Sequence, residues 1–453
     1  MAAKLFSLHR DRANPGHAGS GYVCGQWIMG GSRLAPGLTL MVLANRRVLY
    51  ISYNGMLDPL GQSQVIPYLK ELSTLGVRFT LLSYERAQAY GAEGVQRCRS
   101  LKEELSQFNI EWHQLRYHQR PSMPATAFDV AAGIRFAGRL VRQDKIELVH
   151  ARAHIPAVIA LNLKRRFGIK MIFDVRGLMA EEYIDAGHWQ ATGVAARLTK
   201  RTESRVLRAT DGIVTLTDVL WDEMNRWPDL QARAVAHETI PCCIDQNQFH
   251  FDSEARSTRR DQLNVSNRLV LVYSGSVGGW YMTDEMAAMF AALRRQRHDA
   301  FFLWLTTGPA QIIESAMRKS GIEPRDYAVR NVQSSDVSSF LSASDVGIAF
   351  YRPGISRLGT SPVKVSEYLS CGLPVIINSG IGDTDRVIAR EDVGALVRGF
   401  NDDEYAKAAS TIFGFIDHPE QTRSHAREVG ERLFDLRGPG IERYARLYEA
   451  LLN

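Results

Sequence analysis

Two successive series of short apolar strands, each strand separated from the next by about ten or more residues of helical or polar pattern, constrain this 453-residue sequence more than any single motif. The first series opens at Arg46 with RVLYIS and continues through RFTLLSY, IEWHQL, IELVHA, KMIFDV and GIVTLT. Between these strands lie the helical patterns of QVIPYLKELSTLG, residues 91–107, 126–143, Pro156 to Phe167 and a basic segment at 194–209. The second series runs through RLVLVYSGS, FFLWLTTG, DVGIAFY and LPVIINSG, with helices from Thr283, after QSSDV and from Ser361 to Cys371.

Strands alternating with helices imply parallel sheets covered on both faces. The expected fold class is α/β, with two Rossmann-like parallel-sheet domains facing each other across a cleft. The stretch from His237 to Asn267 has little periodicity, which puts the crossing near Cys243 to Asp252. The expected units are an irregular extension at 1–45, a first domain at 46–245, a second at 246–430 and a terminal helix at 431–453. That helix, GIERYARLYEALLN, places Tyr444, Leu447 and Leu451 on one side and could cap either domain. Met41, just ahead of the first strand, could itself be a start.

No apolar run approaches the 18 to 20 residues, roughly, that a spanning helix needs. A net charge of +6 is too modest for this length to indicate nucleic acid, yet it suits an anionic small ligand or an acidic membrane surface. Five cysteines, Cys24, Cys98, Cys242, Cys243 and Cys371, lack paired CxxC spacing, which argues against a disulfide framework and a zinc site. The expected location is the cytoplasm.

In open α/β sheets ligands bind beyond the carboxyl ends of strands. After RVLYIS, Gly61 sits ahead of a helix and could bring the amides of Gln62 and Ser63 to an anion, but the loop lacks the GxGxxG spacing of a dinucleotide fingerprint. Arg152 and His154 follow IELVHA, and Arg176 follows KMIFDV. In YSGSVGGWYMT, loop amides around Ser274 and Gly275 could hold phosphate oxygens. The next helix carries its own N-cap at Thr283.

The stretch LGTSPVKVSEYLSCGLPVI spells a short helix: Ser361 as cap, Pro362 in the first turn, Gly372 at the end. Lys364 then lies where the helix dipole disfavours a cation by about 0.3 to 1 kcal/mol. A diphosphate would offset that cost through charge-assisted bonds. Glu367 shares the helix face and could accept ribose hydroxyls. The bland alternative is a solvated Lys and Glu pair.

Together the motifs DPLGQSQVIPYL, FDVRG, YSGSVGGWY and SPVKVSEYLSCGLPVI resemble the family-4 retaining glycosyltransferases of the GT-B fold, over Arg46 to about Phe400. The resemblance implies transfer of a sugar from a UDP- or GDP-linked donor to a glycan or lipid-linked acceptor, without metal or other cofactor. Gly61 matches the family's glycine-loop contact, Lys364 its phosphate ligand and Glu367 the second glutamate of its E-x7-E motif. The first glutamate falls at Gly359, and Arg176 stands where many relatives have histidine. WYMTDE replaces a basic pair, so phosphate charge falls to Lys364, Arg176 or Arg357, with Arg352 and Arg357 expected in a solvated loop. His154 is an acceptor-side candidate, and Asp174 could orient Arg176.

The motif DTD at Asp383 to Asp385 matches a metal-binding pattern, but it opens a helix, where acids favour the dipole anyway. A nucleotide-sugar 2-epimerase, a phosphorylase or a non-catalytic nucleotide-sugar binder would share the fold. Arg197, Arg201, Arg205 and Arg208 share a helix face that could meet anionic lipid at the inner face of a membrane.

Overall fold

The computed structural model describes residues 43–120, 122–231 and 233–453. The expectations for Met41, Cys24 and most of the 1–45 segment lie outside the described residues. Leu43, which does not, is fully buried against the first domain, so the packed chain begins ahead of Arg46.

Strands β1 (Arg47–Ser52), β2 (Arg78–Glu85), β3 (Ile110–Arg116), β4 (Leu148–Arg152), β5 (Lys170–Val175), β6 (Gly212–Thr215) and β7 (Ala236–Thr239) form one parallel sheet, ordered β3-β2-β1-β4-β5-β6-β7. Its helices are α1 (Pro59–Gln64), α2 (Ile66–Thr74), α3 (Ala92–Ser106), α4 (Ser122–Gln143), α5 (His154–Phe167), α6 (Met179–Asp185), α7 (Val194–Leu207), α8 (Asp218–Met224) and α9 (Pro228–Gln231). Along β1, Val48 and Tyr50 pack into one helix layer while Leu49 and Ile51 pack into the other, the period-two pattern of a sheet buried on both faces. Sequence periodicity ended this half at GIVTLT, but β7 adds one more strand. Its residues AHET are only half-buried, because an edge strand is covered less fully and shows no apolar run.

The second sheet has β8 (Val270–Ser274), β9 (Phe301–Leu305), β10 (Tyr327–Arg330), β11 (Val346–Ala349), β12 (Val375–Asn378) and β13 (Gly394–Val397), ordered β10-β9-β8-β11-β12-β13 and again parallel. Around it lie α10 (Ser253–Leu263), α11 (Thr283–Gln296), α12 (Ala310–Lys319), α13 (Val337–Ser342), α14 (Val363–Ser370), α15 (Thr384–Glu391), α16 (Asp402–Ile416) and α17 (Pro419–Phe434).

Cys243 belongs to the first core and Ile244 to the second, so the chain crosses there. It returns between Phe434 and Leu436, alongside the first crossing: the Ile244 amide donates to Phe434 O and the Leu436 amide to Ile244 O. The last helix, α18 (Ile441–Leu452), buries Ile441, Tyr444 and Tyr448 in the first domain. The helix expected over QVIPYLKELSTLG is split. It starts earlier, at Pro59, and restarts at Ile66, because Pro67 has no amide to give the preceding turn.

Candidate active site at the domain cleft

Helix α14 is closed by a Schellman turn: Gly372 takes φ 75°, its amide reaches Leu369 O, and the Leu373 amide reaches Tyr368 O. Its start differs from expectation. Pro362 is the N-cap, and the Ser361 hydroxyl accepts the Cys242 amide at 3.0 Å instead of capping the helix. Ser366 Oγ donates to Cys242 O at 2.9 Å, so this helix is fastened to the domain crossing. Tyr368 fixes its depth. Its ring fills the space left by Gly347 on β11, and its hydroxyl accepts the Ser274 amide at 2.9 Å.

Lys364 is therefore buried, at 7% exposure, among three tyrosines. Its amine donates to the Tyr351 hydroxyl at 3.1 Å and lies 4.2 Å from the Tyr281 ring centre and 5.3 Å from that of Tyr273. No carboxylate lies within ion-pairing distance among the described residues, and the Glu367 carboxylate accepts no hydrogen bond from them. The pair is not a solvated salt bridge. Burial lowers the amine's pKa to about 8, against the pull of Glu367. Burial likewise raises the Glu367 carboxyl, to about 7, against the pull of Lys364.

Ser274 and Gly275 lie beside this amine but do not offer the amides expected of them. The Ser274 amide is taken by the Tyr368 hydroxyl on α14 and the Gly275 amide by Leu305 O of the neighbouring strand, each at 2.9 Å. Gly275, at φ 142°, instead makes room: a Cβ there would stand 3.2 Å from Lys364 Nζ.

Gly61 is likewise reinterpreted. It lies inside α1, where a Cβ would meet Gly55 O at 2.3 Å, so the glycine admits the incoming loop. The Gln62 amide bonds Asp58 O and its side chain donates to Met56 O at 2.6 Å, leaving the helix-start amides of Leu60 and Gly61 without an acceptor among the described residues. The loop is anchored by Glu85, 1% exposed, which accepts the Met56 amide at 2.7 Å and Ser83 Oγ at 2.6 Å.

Arg176 follows β5 at the cleft floor, with its guanidinium 3.5 Å from Asp174 Oδ1 and 3.7 Å from Cys242 Sγ. Burial alone would weaken that cation, but Asp174 outweighs it and the guanidinium stays charged. Burial also pushes Asp174 up, yet Arg176 and a hydrogen bond from His150 hold its pKa at about 2. His154 joins none of this. Its Nε2 pairs with Glu203 Oε1 at 2.6 Å and its ring packs on Phe173, so it is satisfied within its own domain.

The domains touch through the Arg357 loop and through Asp383, with Asp185, Ser356 and the α8 amides as partners that the local sequence does not mark. Arg357, expected in solvent, is 7% exposed and stacks 4.2 Å over Trp280, because its loop docks on α6. Asp185 accepts the Ser356 amide at 2.9 Å, and a Cβ at Gly359 would lie 3.5 Å from Gly177 Cα. Burial raises the Glu182 carboxyl, opposed by Arg357. Asp383 of the DTD motif accepts the amides of Asp218 and Val219 at 2.7 and 3.0 Å, capping α8 from the opposite domain. An interdomain cavity of about 880 Å³ is lined by Thr217, Trp221, His237, Ser361 and Arg386; of the candidate site residues it includes Ser361 alone. Tyr273 and Tyr351, at or just past strand ends, and Tyr281, in the loop that follows β8, stand in YSGSVGGWY and IAFY as polar-tipped aromatics at the carboxyl side of strands.

The profile described as Glycosyl transferase 4-like domain matches residues 65–243, and that described as Glycosyl transferases group 1 matches 268–414. No curated protein matches. Among solved structures, a glycosyltransferase from Rickettsia africae superposes with TM-score 0.67 at 14% identity, covering 90% of this chain and 99% of that one. HepE from Anabaena, in complex with UDP, gives 0.66 at 13% over 89% and 100%. Sucrose-phosphate synthase from Thermosynechococcus elongatus gives 0.64 at 14% over 90% and 99%.

Proposed function

Because the chain belongs to the family-4-like glycosyltransferases of the GT-B fold, we propose that it moves a sugar from a UDP- or GDP-linked donor to a glycan or lipid-linked acceptor with retained configuration. The observation that carries this reading is the buried Lys364 ammonium, which has no carboxylate partner among the described residues and lies one turn from a Glu367 carboxylate that accepts no hydrogen bond from them. A nucleoside diphosphate supplies what each lacks: anionic oxygens for the amine and ribose hydroxyls for the carboxylate. HepE, of the same fold, holds UDP and UDP-glucose.

In this reading Lys364 stabilises the leaving diphosphate, the amides of Leu60 and Gly61 face it from the other domain, and Arg176 supplies a second cation at the reacting end. The work is positioning and electrostatics, with no metal. The DTD motif fits that role, since Asp383 is engaged by two amides. His154, held by Glu203, shapes the acceptor side and transfers no proton.

The acceptor is met near α7, where Arg197, Arg201 and Arg205 are exposed together with Val194 and Leu198 at 71% and 50%. Such a surface suits an anionic membrane carrying lipid-linked saccharide, on the cytoplasmic side. No helix among the described residues is long and apolar enough to cross a membrane. The test is release of nucleoside diphosphate from UDP-glucose and GDP-mannose: release above the protein-free rate, reduced in Lys364→Ala, supports transferase chemistry, whereas conversion of donor sugar without release would indicate an epimerase.

A further inference from the structure

Arg152 ends β4, in register with Asp174 on β5 and beside the loop that follows β1. It is 6% exposed, and it reaches no carboxylate within 4.0 Å among the described residues. Among the described residues its side chain makes one hydrogen bond, a long one from NH1 to Asn54 Oδ1 at 3.4 Å, and its Nε has no partner. A charge this deeply buried is ordinarily paired, because removing it from water without compensation is costly.

The neighbours do not supply the missing charge. Asp174 is the carboxylate nearest at hand, but it is already shared by Arg176 at 3.5 Å, His150 Nε2 at 3.5 Å and the Tyr444 hydroxyl at 3.3 Å. Burial keeps His150 neutral, so the floor of the cleft holds two guanidiniums and one carboxylate. Arg176 Nε also lacks a partner. The surplus positive charge sits at the carboxyl ends of β1, β4 and β5, the edge that faces the second domain, where Gly177 and Gly359 approach each other. Lys364 lies on that second domain, among Tyr273, Tyr281 and Tyr351, and belongs to the nucleotide.

We propose that Arg152 binds an anionic group borne by a sugar substrate, a carboxylate or a phosphate distinct from the donor diphosphate. A guanidinium whose buried Nε has no partner and whose NH1 holds only a long bond to Asn54 keeps the capacity to meet such a group in two parallel hydrogen bonds, which an amide or hydroxyl cannot replace. This inference rests on the transferase reading and narrows it: one of the two sugars is acidic. The acid enters on the donor, as a uronic acid, or on the acceptor, as a uronic acid or sugar phosphate.

Calorimetry on the full chain distinguishes these. The first titration identifies which of UDP and GDP binds. The donor arm compares UDP-glucuronic acid with UDP-glucose, or GDP-mannuronic acid with GDP-mannose. The acceptor arm adds glucuronic acid, glucose 1-phosphate or glucose to protein saturated with the nucleotide. The expected result is at least tenfold preference for the acidic sugar in one arm. That preference should fall at least tenfold in Arg152→Gln and recover partly in Arg152→Lys, with thermal melting confirming that both variants fold.

Nucleotide binding without acidic preference in either arm overturns this inference and leaves the transferase reading standing. So does an Arg152→Gln variant that loses affinity for the bare nucleotide by as much as for the acidic sugar, since Arg152 would then serve the diphosphate. No binding of either nucleotide takes down both.

Discussion

The Lys364 amine reaches the Tyr351 hydroxyl at 3.1 Å and pairs with no carboxylate among the described residues, although Glu367 stands one turn further along the same helix. A buried ammonium satisfied only by a phenol and aromatic faces keeps donor capacity for an anion. Lys364→Ala should therefore weaken nucleoside diphosphate binding by tenfold or more, about 1.4 kcal/mol, while thermal stability stays equal or rises because an uncompensated buried charge is removed. Fluorescence melting beside a binding curve checks both halves.

The same burial sets a pH dependence. The Lys364 amine loses its proton near pH 8 in the folded chain, against an ordinary value of 10.5. Donor affinity should fall as pH rises through about 8. Stability should move oppositely, because between about 8 and 10.5 the unfolded chain binds more protons than the folded one, so this group makes folding more favourable with rising pH. Glu367, raised to about 7, contributes stability present below its unfolded value of 4.5 and lost as pH rises through 7. Binding and melting curves from pH 5 to 9.5, compared with Lys364→Ala and Glu367→Gln, isolate each group.

Much of this architecture was legible because buried parallel strands are written as apolar runs and α14 carries its own stop signal in Gly372. The edge strands β7, β10 and β13 were not: AHET and YAVR are half-buried and carry mixed polarity, and GALV is a buried run of only 4 residues. The positions of Lys364, Glu367 and Arg176 could be read from local grammar. Contacts between distant segments could not: Ser361 looks like a cap until Cys242, 119 residues earlier, is seen to use its hydroxyl. Arg357 looks solvated until Trp280 lies under it, and Gly61 looks like an anion loop until Gly55 fills its space.

Glu85, at the end of β2, carries no local pattern that marks it as an anchor. Glu85→Ala should cost about 2 kcal/mol, because it leaves the buried Met56 amide without an acceptor, and should lower donor turnover by loosening the loop that packs on Gly61. Chemical denaturation and donor hydrolysis measure the two effects. A variant with normal stability and normal turnover would remove this loop from the site.

Asp383 joins the domains by accepting the Asp218 and Val219 amides. Asp383→Ala should cost about 1 kcal/mol, the range of a lost helix cap, and should lower the melting temperature without creating any response to manganese. Activity that vanishes with EDTA and returns with manganese in the unaltered chain would restore the metal reading of the motif.

The exposed face of α7 makes a separate claim. Flotation with liposomes rich in anionic lipid should carry the protein upward, and Arg197→Glu with Arg201→Glu should abolish that movement while leaving nucleotide affinity intact. Equal flotation with neutral liposomes would mean the arginines are only a solvated face.

The most direct test of the central claim is calorimetric titration of the purified protein with UDP, GDP and NAD, repeated on Lys364→Ala. Binding of one nucleoside diphosphate, no binding of NAD, and a loss of tenfold or more in the variant is the result expected of a donor cleft built on Lys364. Binding that is absent, or equal in both proteins, would contradict it.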